Sequence, residues 1–166
     1  MATPTSLPAT FVAGNVLTAA QMNDLRGAFR ILQVVQTAHS TEFSTTSTSL
    51  VDVTGLSVTI TPTSATSKVL VMVNASGEKS DSEYLVMSVF RGGAASGTNL
   101  GNGLLGFGAL KTSAQIRGFL SYCYLDSPAT TSATTYNVAA RINSGTAGYV
   151  MRSDAKNTIT AMEVSA

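Results

Sequence analysis

LSVTITPTSATSKVLVMVN, residues 56–74, decides the fold. Leu56, Val58 and Ile60 alternate with Ser57 and Thr59, the period of two of a strand buried on one face. Pro62 to Ser67 make the turn, since Pro, Ser and Thr interrupt a strand and satisfy their own backbone locally. Lys68 to Asn74 is then apolar on both faces, the pattern of a central strand in a sandwich. Working outward, the same alternation of apolar runs and turn residues recurs. Upstream, Ile31 to Gln36 reads as a first strand, and residues 38–50 as a polar loop or edge strand. Downstream, residues 77–83, GEKSDSE, read as a turn, and Tyr84 to Arg91 as a long strand. A Gly-rich excursion follows over residues 92–113. Further strands are expected over Gln115–Asp126, Thr134–Asn143, Tyr149–Arg152 and Thr158–Val164. In the last, Ile159, Ala161 and Glu163 share one face. Seven or eight strands with regularly spaced turns predict a mostly β protein, an antiparallel β-sandwich of jelly-roll type.

Only one stretch reads otherwise. VLTAAQMNDLRGAFRILQVV, residues 16–35, opens as a helix. Thr18 and Gln21 make a capping box, and Leu17 and Met22 fit a hydrophobic staple. Met22, Leu25, Phe29 and Leu32 recur at steps of three and four and share one stripe. About four turns are too few to stand alone in water, so the stripe needs a partner. Three copies could bury it on a three-fold axis, or it could pack on the chain's own sandwich; the first is preferred. Before the helix, Pro4 and Pro8 oppose regular structure, yet Leu7, Phe11, Val12, Val16 and Leu17 make the leader more apolar than a disordered tail. The expected organisation is a docking leader over 1–17, a short N-terminal α-helix over 18–30 as the trimer joint, and a sandwich head over 31–166.

Composition narrows the function. Charged residues are 11% of the chain and the net charge is +1, well below the roughly one quarter charged of average domains. Lys and Arg stand singly along the chain, which gives no basic patch for nucleic acid. No apolar run approaches the length of a membrane span, so no membrane insertion is expected. The N-terminus lacks the basic start and apolar core of a signal peptide. Cys123 is the sole cysteine and lies in an apolar run, which predicts a small buried core residue. His39 is the sole histidine and is expected exposed in a polar loop.

Chemistry-bearing patterns are weak. Gly101, Gly103 and Gly106 spell a literal GxGxxG, with Asp126 twenty residues on. The dinucleotide motif needs a strand directly before it and a helix opening after it, and neither is expected here. Glu78, Asp81 and Glu83 cluster in one turn, where carboxylates could hold Ca²⁺, but Lys79 among them favours a solvated turn. No GxSxG, HExxH or carboxylate pair marks a catalytic centre, so neither an enzyme nor a cofactor is expected.

FVAGNVLTAAQMNDLRGAF (11–29) resembles the N-terminal segment of tailed-bacteriophage virion proteins. ITPTSATSKVLVMVN, YLDSPATTSATTYNVAARINSG and NTITAMEVSA resemble the distal β-domains of phage tail-fibre, head-fibre and decoration proteins. The resemblance covers residues 11–35 and 56–166 and fixes no binding residue. It implies a non-enzymatic virion component, assembled in the host cytoplasm. Such a component is commonly a homotrimer, held to capsid, neck or tail by its N-terminus with the head turned outward. The alternatives are a capsid decoration (cement) protein and a lectin-like head that binds a host surface glycan. The absence of Trp from the chain weakens the lectin alternative.

Overall fold

The computed structural model describes residues 31–79, 83–111, 113–151 and 155–165, with Val16, Thr18 and Ala19 before them. Leu7, Phe11, Val12 and Leu17 of the expected leader lie outside the described residues, as do residues 20–30 of the expected helix with Met22, Leu25 and Phe29. The described chain forms two antiparallel sheets packed face to face, so the protein is mostly β and sandwich-like.

The first sheet contains β1 (Ile31–His39), β2 (Phe43–Thr45), β4 (Lys68–Lys79), β8 (Ile116–Asp126), β10 (Gly148–Val150) and β11 (Asn157–Val164). These segments fill four positions. β8 pairs with β4 along its whole length; β11 and then β10 take the other side of β4; β1 lies outside β11, and β2 outside β10. The second sheet contains β3 (Val51–Ile60), β5 (Leu85–Arg91), β6 (Thr98–Asn99), β7 (Gly108–Leu110) and β9 (Thr134–Ile142). Its order is β3, β9, β5, with β6 and β7 sharing the last position.

The core follows the alternation. Leu56, Val58 and Ile60 of β3, Leu85, Met87 and Val89 of β5, and Tyr136, Val138 and Ala140 of β9 turn inward. They meet Val69, Val71, Val73 and Ala75 of β4 and Ile159 and Ala161 of β11. Each buried aliphatic side chain contributes about 1.5–3 kcal/mol. Of the two faces of β11, the one that carries Ile159, Ala161 and Glu163 is buried against the core.

Several expectations are corrected. Leu32 does not continue a helical stripe. It lies in β1, at a register shift between Ile31 and Gln33, because the β-branched run that follows pairs with β11. β1 extends to His39, which is half-buried in a strand and not exposed in a loop. Its ring covers Gly55, where a Cβ would lie 2.5 Å from the imidazole. Gly55 has φ +80° and sits within a register shift of β3, which starts at Val51, five residues before the expected boundary. β4 runs on to Lys79, so residues 77–79 are strand and not turn. Gly77 permits this, since a Cβ there would meet the Met87 methyl at 2.6 Å. Cys123 is exposed, because β8 is an edge strand whose alternate residues point away from the core.

Candidate functional site

The two sheets differ on their outer faces. In the first sheet, cross-strand register places Leu125, Leu70, Met162 and Val34 in one row across β8, β4, β11 and β1. Cys123 and Met72 continue it one step along, beside Thr160 and Gln36. Val164 and Ile31 continue it in the other direction. Val34 is 53% exposed, Leu125 48% and Ile31 56%, while Leu70, Met72, Met162 and Val164 are half-buried by their neighbours alone. Phe119, 66% exposed, extends the face along β8. A shallow open depression of about 310 Å³ lies at Met72, Ser121 and Cys123.

Polar groups flank the apolar rows: Ser121, Asn74 and Thr158 form the next row along, with Ser121 and Asn74 exposed. The Gln36 side-chain amide donates to Thr160 Oγ1 at 2.8 Å, and Lys68 Nζ at one corner donates to Ser127 Oγ at 2.7 Å. Arg117, towards the opposite end, pairs with the buried Glu78 carboxylate, which also accepts from Gln115.

The outer face of the second sheet is covered over β5 and the adjoining part of β9. Val86, Phe90 and Ala139 alternate with the core residues of β5 and β9, yet are buried. The Gly-rich excursion accounts for this. Ala94 N donates to Asp52 Oδ1 at 2.9 Å, Ser88 Oγ to Asn99 Oδ1 at 2.6 Å, and Arg141 to the Leu104 carbonyl at 2.6 Å. Within the excursion, the GxGxxG stretch is a closed turn. Asn102 and Gly106 exchange backbone hydrogen bonds of 2.8 Å, and the Asn102 carboxamide accepts from Leu104 N. Gly106 has φ +61°, and a Cβ there would collide with the Met87 carbonyl. Backbone N–H groups needed for a phosphate cradle are thus turned to the turn's own acceptors. Leu104 and Leu105 at its tip are exposed.

The buried acidic residues Asp126, Glu163 and Glu78 serve as internal clamps. Asp126 on β8 accepts from Arg91 on β5 and from the Tyr136 hydroxyl on β9, both at 2.8 Å, and so ties the two sheets together. Burial, the hydrogen bond to Asp126 and the Asp126 charge push the Tyr136 pKa far up, against the opposing effect of Arg91. Glu163 accepts from Gln33 at 2.6 Å and from Thr63 N and Oγ1 at 2.7 Å. Burial alone would raise its pKa, but donors from Gln33, Thr63 and Ser67 outweigh this and hold it below the ordinary 4.5. Glu78 is a strand residue with two donors, not part of a solvated turn; Asp81 lies outside the described residues. Among the described residues no group of three His, Cys, Asp or Glu converges, and no helix is long and apolar enough to cross a membrane.

Of the residues expected to bind partners, Val16 is 90% exposed and Leu32 is 40% exposed at the Ile31 corner of the open face. The residues of that face were not legible as a site. Their signal was the apolar character of both faces of Lys68–Asn74, which reads equally well as burial on both sides. Phe107 and Tyr122 stack at 5.0 Å, and Tyr122 and Tyr124 at 6.0 Å. The Tyr122 hydroxyl donates to the Leu100 carbonyl, which fixes the edge of β8 against the excursion. Compared with known proteins, the chain matches no family model and no curated protein.

Proposed function

We propose that the chain is a non-enzymatic structural component of a tailed-phage virion. On this reading it is a homotrimeric fibre- or spike-like protein, held to the particle by residues 1–17 with its sandwich turned outward. The observation that carries the reading is the open apolar face of the first sheet. Soluble monomers rarely expose a contiguous apolar patch beyond a few hundred Å², and larger ones mark association surfaces. Two further features support it. The order β8, β4, β11/β10, β1/β2 opposite β3, β9, β5, β6/β7 is compatible with the eight-position jelly roll expected from the sequence, an architecture common in capsid proteins. A chain with 11% charged residues offers hydroxyl and backbone surface suited to close assembly.

The test is removal of residues 1–15 from the full chain. The truncated protein should remain trimeric by sedimentation velocity and no longer join virions. Unchanged incorporation would contradict the anchoring role. One observation favours a second reading, a capsid cement protein that presses its loops onto the shell: Leu104 is 69% exposed at the tip of a turn held by Asn102 and Arg141. Leu104→Asp would abolish particle binding in that case and leave it intact for an N-terminally anchored fibre.

A further inference from the structure

We infer that the outer face of the first sheet is where copies of this chain meet, so that the trimer is held by sheet faces and not by the Met22, Leu25 and Phe29 stripe alone. The inference rests on the trimeric reading above. It names the residues that join the protomers: Leu70, Met72, Leu125, Met162 and Val34, with Cys123 among them.

Four observations point to a second copy as the occupant. Charge is the first. The row from Leu125 to Val34 contains no ionisable group; at the margins Arg117 pairs with Glu78, while Lys68 donates to the neutral Ser127 hydroxyl and keeps its charge. An acidic or basic partner would find no counter-charge along this row, whereas identical neutral rows bring no like-charge repulsion. Desolvation is the second. Gln36 and Thr160 already bond to each other, so covering them leaves one amide N–H and the Thr160 acceptor satisfied. Area is the third. Four strands about 4.8 Å apart, side by side over Lys68–Asn74 at about 3.3 Å per residue, give a footprint of roughly 450 Å² before side-chain relief. That is over half of the ~800 Å² that each partner contributes to a stable interface. Position is the fourth. β1 begins at Ile31, immediately after the segment expected to gather three chains, and Ile31 and Leu32 lie at a corner of this face. A three-fold axis that collects residues 18–30 therefore brings the same corner of each sandwich to the axis.

The test uses the full chain. Sedimentation velocity is run on the wild type, on Leu70→Glu/Leu125→Glu, and on Leu25→Ser/Phe29→Ser, with circular dichroism of each. The wild type should be a trimer, and the face variant a folded monomer whose association is weakened more than a hundredfold. A face variant that stays trimeric like the wild type overturns the inference. If only the stripe variant dissociates, the inference falls and the trimeric reading stands. If the wild type is a monomer, both fall. Should the face variant not fold, a nitroxide on Cys123 of the otherwise unaltered chain decides the matter. Dipolar coupling between protomers is expected, and its absence in a trimer overturns the inference.

Discussion

The outer faces of the two sheets both carry apolar side chains, and these have opposite fates. On the second sheet Val86, Phe90 and Ala139 are 1%, 6% and 0% exposed, because residues 92–107 fold back over β5 and β9. On the first sheet Val34 and Leu125 remain about half exposed across four strands, and no described segment lies over them. Among the described residues, one face is covered by the chain itself and the other lies open. Apolar residues on both faces of a strand therefore carry two meanings, which differ in whether the cover comes in cis or in trans.

The comparison can be broken from several directions. The largest effect is expected where both faces are served at once. Asp126→Ala removes the acceptor that joins β8 to Arg91 and Tyr136 on the other sheet. It should cost about 3 kcal/mol in urea unfolding, since a buried hydroxyl and a guanidinium lose their partner together. Next comes the cis cover. Gly106→Val places a β-branched side chain at φ +61° against the Met87 carbonyl, and should cost about 2 kcal/mol. Faster amide exchange at Val86 and Phe90 would show that the cover has lifted; unchanged exchange there would sever the link between the turn and that face.

A smaller effect is expected from the clamp beneath the open face. The Glu163 pKa is depressed in the folded state, so its contribution is present above the unfolded value near 4.5 and lost as pH falls through the folded one. Glu163→Gln should cost about 1 kcal/mol at neutral pH and flatten the loss of stability below pH 4.5. An acid limb identical to that of the wild type would remove Glu163 from the account. The smallest effect on the folded protomer belongs to the open face itself. Leu125→Ser should shift protomer stability by less than about 0.5 kcal/mol, measured in dilute solution, while weakening association. A loss as large as that of a core leucine would mean that the face is covered within the protomer.

Much of this fold is legible in the sequence. Period-two alternation gives β3 with its inward face, apolar runs give β5, β9 and β11 as strands, and Ser, Thr, Pro and Gly mark most turns. The misreadings share a cause, which is that neighbours in space override local pattern. Gly77-Glu78-Lys79 looks like a turn, yet stays in β4 because Glu78 finds Arg117 and Gln115, and Lys79 Nζ finds the Thr146 carbonyl at 2.6 Å. Cys123 looks buried because its neighbours are apolar, but its register opposite Met72 turns it outward. Leu32 fits a helical step of three from Phe29, but pairing with β11 claims it for a strand. The open face was hidden for a related reason: alternation shows which residues share a side, and not whether that side meets a core, a loop or another molecule.

The most direct measurement of the central claim is the reaction rate of the native Cys123 thiol with a small alkylating reagent, followed over a dilution series of the full chain. Cys123 is exposed in the protomer. Association through the outer face of the first sheet should make the thiol slow at high protein concentration and as fast as a free thiol when the trimer dissociates. A rate equal to that of a free thiol at every concentration would contradict the account.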